Sequence, residues 1–261
     1  MSHVQRFCVI AQARTGSEAL TTRLNEHPEI ACHRELFNRK TVYSALKGAA
    51  KLQLPSVEER DADPIAALER VVALSSQAFP AKPVFGFKLF LNHAQAVRKV
   101  VRTDPRWRLV VLERRNKLAQ FVSMHTARET GTWSVFSGKA GERAAALAAN
   151  PVTVDVDVAE LERFVELETQ RYREYRQRLA GRADVLSIET EEIDARFAEV
   201  LDFLGVTVTD ELRVVRGRQN PAPLRTRIRN WDEVEAWLRR TDHGTWAGAD
   251  SAARAAPATA G

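Results

Sequence analysis

The sequence predicts an α/β fold built on a mostly parallel sheet. Three observations predict it. Four short apolar runs are rich in β-branched and aromatic residues, the stretches between them repeat with helical spacing, and polar or helix-starting sequence follows each run. The first run is Phe7–Ala11 (FCVIA), followed by the helical pattern Ser17–Glu26, which His27-Pro28 should end because proline disfavours helix in the residue before it. Ile65–Ser76 is a second helical stretch, ahead of the strand Val84–Phe90 (VFGFKLF). The strand Arg108–Leu112 (RLVVL) leads into a helix over Asn116–Glu129, with Leu118, Phe121, Val122 and His125 at helical spacing. A long charged helix over Val158–Leu179 precedes the strand Val185–Ile188, and Phe197–Leu204 closes the pattern as a shorter helix. Lys47–Pro64 reads as a variable insertion and Ser137–Pro151 as an Ala-rich connection.

Composition narrows the class. The chain has 261 residues, 44% hydrophobic and 28% charged, which suits a folded globular protein. Residues 1–246 are expected to form a single domain, and 247–261, Ala-rich with little bulk, a disordered tail. The early apolar run Phe7–Ala11 is far short of the roughly 20 residues a membrane helix needs. The opening MSHVQRFCVIAQART lacks an apolar core and a small-residue cleavage site, so a cytoplasmic location is expected. Cys8 and Cys32 are too few for a disulfide framework or a zinc cage and read as buried small residues in a reducing compartment. Lys plus Arg is 39 against 34 for Asp plus Glu, a net charge of +5. That balance suits an anionic ligand or nucleic acid, and no run of five or more like charges marks a nucleic-acid tail.

Ligands of such folds bind beyond the carboxyl ends of the strands, so the strand exits carry the chemistry. After the first strand comes Gln12-Ala13-Arg14-Thr15-Gly16-Ser17 and then a helix. A turn there presents free backbone N–H groups and the positive end of the helix dipole to an anion. Gly16 permits close backbone approach, Arg14 supplies a permanently charged planar fork, and Thr15 and Ser17 add hydroxyls. A Walker loop requires Lys after its second Gly, whereas Gly16 is followed by Ser17-Glu18 and Ala11 stands five positions before it. The third predicted strand exits into Glu113-Arg114-Arg115-Asn116, with Asn116 a natural N-cap and Ser123 further along the helix.

The stretch FCVIAQARTGSEALTTRLNEHPEIACHRELFN resembles the opening of sulfotransferases that use 3′-phosphoadenosine 5′-phosphosulfate (PAPS). Within them it resembles the bacterial group that includes lipopolysaccharide and Nod-factor sulfotransferases, where an R-[ST]-G-S-x-x-L loop precedes a helix ending in H-P. The resemblance implies a three-layer α/β fold with a mostly parallel central sheet and a P-loop-like phosphate-binding loop. It implies that Arg14, Thr15, Gly16 and Ser17 hold the 5′-phosphosulfate. Glu18 stands where many relatives carry Thr, so its carboxylate is expected to point away and only its backbone N–H to serve. Arg115 and Ser123 match the family's R-N-x-x-x-x-x-x-S pattern, which binds the 3′-phosphate. VLSIETEEIDARFAEVLDFLG resembles the family's strand with an acidic turn and a helix ending in F-L-G. QNPAPLRTRIRNWDEVEAW resembles its C-terminal segment closing over the nucleotide. Because the G-x-x-G-x-x-W form is missing there, Gln219, Asn220, Arg225 and Arg227 stay open as 3′-phosphate contacts.

Sulfuryl transfer needs a base within reach of the acceptor hydroxyl. The candidates near strand and helix ends are His33, Glu35, His93 and His125. Several sulfotransferase groups, tyrosylprotein and trehalose enzymes among them, place a catalytic glutamate at the position of Glu35. Cytosolic aryl and steroid enzymes use a His, which makes His93 the runner-up. His125 reads as a packed core residue, His27 as part of the helix stop, and Trp133 as a residue of the cleft wall. Lys88 is an unusual residue for a buried strand, and it either faces the sulfate or snorkels to solvent. The resemblance therefore implies PAPS as co-substrate, no metal, and a hydroxylated carbohydrate, glycolipid or small molecule as acceptor. Two other classes compete with it. A P-loop kinase needs magnesium and a γ-phosphate clamp. A basic nucleic-acid-binding protein would show steeply salt-dependent affinity, and no helix-turn-helix or aromatic RNA-binding motif supports it.

Overall fold

The structure is a computed structural model that describes residues 4–133, 152–209 and 223–248. Gln219, Asn220, the Ser137–Pro151 connection and the tail beyond Gly248 lie outside the described residues. The chain gathers into two compact units, Met1–Arg114 with Glu174–Val215, and Arg115–Arg173 with Arg216–Gly261.

The first unit carries a five-stranded sheet of order β2-β3-β1-β4-β5: β1 Gln5–Ala11, β2 Ile30–Glu35, β3 Val84–Phe90, β4 Trp107–Glu113 and β5 Val185–Glu189. Every pairing is parallel, so all five strands end at one edge. This is the expected α/β class. Four strands fall where the apolar runs predict them. The fifth, β2, is an edge strand whose second half is His33-Arg34-Glu35, and its polar side chains mask the strand signal.

Helices α1 Ser17–Glu26, α2 Gly48–Leu52, α3 Val57–Ala62, α4 Pro64–Ala78 and α5 Gln95–Thr103 connect the first four strands. The Lys47–Pro64 segment, read as a variable insertion, holds regular structure. It folds into two short helices, the second opened by a capping box in which Ser56 and Glu59 satisfy each other's backbone N–H. α5 is not among the helical stretches read from the sequence, although Val97 and Val101 recur at helical spacing and are buried.

Period-2 alternation divides the sheet residues between two faces. Phe7, Val9, Ala11, Val110 and Leu112 pack with Leu20 and Leu24 of α1, and with Val200, Leu201 and Leu204 of a helix over Phe197–Leu204. The opposite face carries Phe85, Phe87 and Trp107; the Trp107 ring meets the two Phe rings edge to face at 6.2 and 5.5 Å, and the Phe rings are tilted to each other at 6.2 Å. The stop after α1 is built as expected. His27 Nδ1 accepts the Glu29 N–H, which leaves Nε2 to donate to the Thr207 carbonyl at 2.8 Å. Lys82 Nζ donates to the carbonyls of Asn25, His27 and Ile30 and so closes the turn into β2. Cys8 and Cys32 are free and buried, and burial pushes both thiols up.

The second unit holds α6 Lys117–Thr130, with Asn116 accepting the Ala119 N–H as its cap, and a helix over Trp231–Arg240. Val158–Arg178 is also helical and contains the boundary at Arg173. Leu118, Phe121, Leu161, Val234, Trp237 and Trp246 form that unit's core. Gly244–Ala247 forms a 3-10 turn just before the described residues end at Gly248. No helix among the described residues is long and apolar enough to cross a membrane.

Gly86 lies beside Phe7 in the β1–β3 register, and a Cβ there would sit 2.1 Å from the Phe7 ring. Gly86→Ala should therefore lower unfolding free energy by about 2–3 kcal/mol through overpacking. Gly244→Ala, whose nearest contact would be 3.9 Å away, should stay within about 0.5 kcal/mol. Urea unfolding of the two variants checks the pair, and equal losses would refute the packing account.

Candidate active site

β1 ends at Ala11, and the following loop turns sharply into α1. Arg14 and Gly16 adopt left-handed backbone, with φ of 66° and 71°. Arg14 is the one non-glycine residue in that region among the described residues, a conformation that costs energy and persists when its surroundings hold it. Three contacts hold it here. The Thr15 hydroxyl donates to the Gln12 carbonyl at 2.8 Å. The Thr190 hydroxyl donates to the Thr15 carbonyl at 2.6 Å. Arg114 Nη1 reaches the Arg14 carbonyl at 3.3 Å. Gly16 is fixed twice over, by its φ and by Thr190, whose methyl would lie 2.9 Å from any added Cβ. As the N-cap of α1, Gly16 has no side chain with which to cap, so the first-turn N–H groups are not claimed by a capping side chain and can meet an anion.

Thr15 and Ser17 are both buried. The Thr15 hydroxyl proton is committed within the loop, so this residue shapes the turn, and any contact it offers an anion comes from its backbone. Thr190 and Arg114 are site residues that motif reasoning did not single out. Their signal was positional, since each stands just past the end of a parallel strand.

A second cluster lies beside the loop. Lys88, opposite Val9 in the β1–β3 register, is 2% exposed and therefore does not snorkel to solvent. Its ammonium lies 3.1 Å from Glu18 Oε2 and 3.0 Å from Glu35 Oε1. Glu18 also pairs with Arg34, and Glu35 Oε2 accepts from Asn38 Nδ2 at 2.8 Å. Charges therefore alternate along Arg34, Glu18, Lys88 and Glu35. The pairing depends on an irregularity in β2: Cys32 stands opposite Gly86, yet Glu35 stands opposite Lys88. Three residues advance on β2 against two on β3, the count of a β-bulge. In straight register Arg34 would face Lys88, and the extra residue puts a carboxylate there instead. Burial alone would raise the Glu35 pKa, but the Lys88 ammonium and the Asn38 amide outweigh it and hold the carboxyl below its ordinary range. Glu35 is thus a carboxylate at neutral pH, as a proton acceptor must be.

The histidines separate by environment. His33 is fully buried, with Ser44 Oγ at 2.9 Å on Nδ1 and Ser75 Oγ at 3.0 Å on Nε2. Nδ1 also accepts the Ala45 N–H, so the proton sits on Nε2 and the ring is a structural strut. His93 is 8% exposed and tilted against the Phe90 ring at 5.0 Å, and its Nδ1 is buried with no hydrogen-bond partner among the described residues. Burial lowers its pKa, partly opposed by the facing Glu35. His125 is not in the core as expected; it is half-buried on the Phe121 ring, 3.7 Å from Glu160. Arg115, exposed, and Ser123, buried, stand at the head and in the second turn of α6 in the second unit, as does the 3-10 turn Leu224–Arg227 with exposed Arg225 and buried Arg227. Trp133 is 52% exposed.

No family model matches the chain, and no curated protein matches it. Among solved structures it is similar to a sulfotransferase from Alicyclobacillus acidocaldarius, at 18% identity and a TM-score of 0.47, covering 93% of this chain and 94% of that one. It is also similar to sulfotransferase STF9 from Mycobacterium avium, at 10% identity and a TM-score of 0.46, covering 93% and 78%. A third is the mouse sulfotransferase SULT7A1 complexed with PAP, at 14% identity and a TM-score of 0.43, covering 80% and 62%.

The buried His33 makes a pH prediction. Burial lowers its pKa from 6.5 to about 4, so between those values the unfolded chain binds a proton that the native ring refuses. The stability tied to neutral His33 is full above about pH 6.5 and is lost as pH falls towards 4, by up to about 3 kcal/mol. His33→Gln should flatten the fall in urea-unfolding free energy between pH 7 and 4.5 relative to wild type. Parallel pH profiles would show that His33 titrates alike in both states.

Proposed function

We propose that the protein is a sulfotransferase that moves the sulfuryl group of PAPS to a hydroxyl acceptor and releases 3′-phosphoadenosine 5′-phosphate (PAP). One observation carries this reading. An anion loop without a Walker lysine adjoins a buried Lys88–Glu35 pair at the same sheet edge, the two joined through Glu18 in the first turn of α1. A sulfuryl group carries less negative charge than a terminal phosphoryl, so a loop with one arginine and backbone N–H donors suffices where a nucleotide kinase adds a lysine and magnesium.

In the proposed step the acceptor hydroxyl oxygen attacks sulfur. A new O–S bond forms as the bond from sulfur to the 5′-phosphate oxygen breaks, and that oxygen keeps the electron pair in PAP. The hydroxyl proton passes to Glu35. Arg14 and the first-turn N–H groups stabilise the charge that grows on the leaving phosphate, and Lys88 offsets negative charge beside the base. By the sequence resemblance, Arg14, Thr15, Gly16, Ser17 and the Glu18 backbone take the 5′-phosphosulfate. Arg115 and Ser123 take the 3′-phosphate, and the segment with Gln219, Asn220 and Arg225 closes over the nucleotide. The Glu18 carboxylate is committed to Lys88 and Arg34, which agrees with a role for its backbone alone.

PAP should raise the melting temperature clearly, while AMP and ATP do little. Equal shifts from all three would remove the 3′-phosphate assignment. Arg14→Ala and Arg115→Ala should each weaken PAPS binding by about 1.5–3 kcal/mol, the value of hydrogen bonds to charged groups, as read by calorimetry. Glu35→Gln should bind PAP normally but transfer sulfuryl about 10²–10⁴-fold more slowly. A near-normal rate in that variant would pass the base role to His93.

A further inference from the structure

A recess opens next to the proposed base. It is a cavity of about 290 Å³ in the first unit, walled by Phe37, Arg39, Arg60, Asp61, Asn92 and His93 among others. That is the small end of the range for ligand pockets. Asn38, between two of the wall residues in sequence, holds Glu35 Oε2, and the Glu35 carboxylate acts electrostatically on the His93 ring.

The charges of this wall do not cancel. Asp61 is neutralised by Arg60 Nε at 2.8 Å. The rest of the Arg60 fork is used in shaping the wall, since Nη1 donates to the carbonyls of Leu36 and Asn38 at 3.1 and 2.7 Å. Burial favours the neutral form of His93. Arg39 is different: it is exposed, and its guanidinium makes no hydrogen bond or ion pair among the described residues. The Asn92 side chain is likewise without a partner among them, and His93 contributes the buried, unpartnered Nδ1. The wall therefore presents one uncompensated planar cation, an amide and an unsatisfied imidazole nitrogen around an apolar floor at Phe37. A guanidinium fork matches the oxygens of a carboxylate or phosphate two at a time.

Resting on the sulfuryl-transfer reading, we propose that this cavity receives an oxyanion group of the acceptor on Arg39. The acceptor class is then a hydroxylated carboxylate or phosphate ester of small size, not a neutral alcohol or sugar. Arg39 stands apart from the residues assigned to donor binding or proton transfer, so its replacement reads acceptor choice alone.

Three matched pairs serve as probes: 3-hydroxybutyrate and its amide, 4-hydroxyphenylacetate and its amide, and glycerol 3-phosphate and glycerol. Dissociation constants are measured by ligand-observed NMR on the full chain, with and without excess PAP. At least one anionic probe should bind about tenfold or more tightly than its neutral partner. The preference should vanish in Arg39→Ala and survive only in part in Arg39→Lys, and the carboxylate and phosphate arms show which oxyanion is preferred. Equal affinities within every pair, no binding by any of the six, or a preference unchanged in Arg39→Ala each overturn the proposal. PAP affinity is read from the same samples. Loss of PAP binding with the Arg39-dependent preference intact counts against the donor reading alone, and PAP binding without that preference counts against the acceptor proposal alone.

Discussion

Lys88 is an ammonium group with almost no access to water, and the candidate site is organised by the need to compensate it. An unpaired buried charge costs several kcal/mol even after relaxation, so the surrounding chain must supply carboxylates at contact distance. Glu18 comes from the first turn of α1 and Glu35 from the end of β2, a helix and a strand of the same unit. Lys88 thereby ties the helix that follows the candidate anion loop to the strand that carries the proposed proton acceptor. The bulge in β2 belongs to the same requirement, because straight register would set Arg34 against Lys88 and leave two cations facing each other. With the extra residue, Arg34 is displaced onto Glu18, and two cations and two carboxylates alternate.

The candidate anion loop is held in place for a complementary reason. Its backbone is held from behind by residues that follow β4 and β5: Thr190 shares its hydroxyl proton between the Thr15 and Glu113 carbonyls, and Arg114 reaches the Arg14 carbonyl. Carbonyl oxygens of the turn are thus satisfied by side chains that follow other strands. A left-handed arginine at the head of the loop is tolerable because these bonds fix it. Preorganisation of this kind is what electrostatic stabilisation of a leaving phosphate demands, since donors already in place need not reorient as charge develops.

The parts legible in the sequence were those whose signal is local. β1, β3 and β4 are buried on both faces and read as apolar runs. α1 and the helix over Phe197–Leu204 appear at the bounds their periodicity gives. Gly16 and the missing Walker lysine were visible as a motif. Long-range features were not legible. β2 is hidden because its buried His33 is satisfied by Ser44 and Ser75, residues 11 and 42 positions away in the chain. The Lys88–Glu35 pair needs the β2–β3 register and its bulge, which no single stretch encodes. Thr190 becomes a loop residue only because β5 ends beside β4.

The low basicity of Glu35 is a consequence of the same cluster and bears on the proposed chemistry. A carboxylate gripped by an ammonium and an amide is a poor proton acceptor, and the best general base has a pKa close to the working pH. The grip, however, is shared: Lys88 divides its hydrogen-bonding protons between Glu35 and Glu18, and Glu18 begins the helix whose N-terminus forms the anion loop. A phosphosulfate bound at that N-terminus would bring further negative charge towards the ammonium. Each increment of its pull on Lys88 is withdrawn from Glu35, whose pKa then rises towards the value that burial alone would set. If the proposed reading holds, donor binding and base strength would be coupled in this arrangement, with Glu35 a better-matched proton acceptor while phosphosulfate is bound.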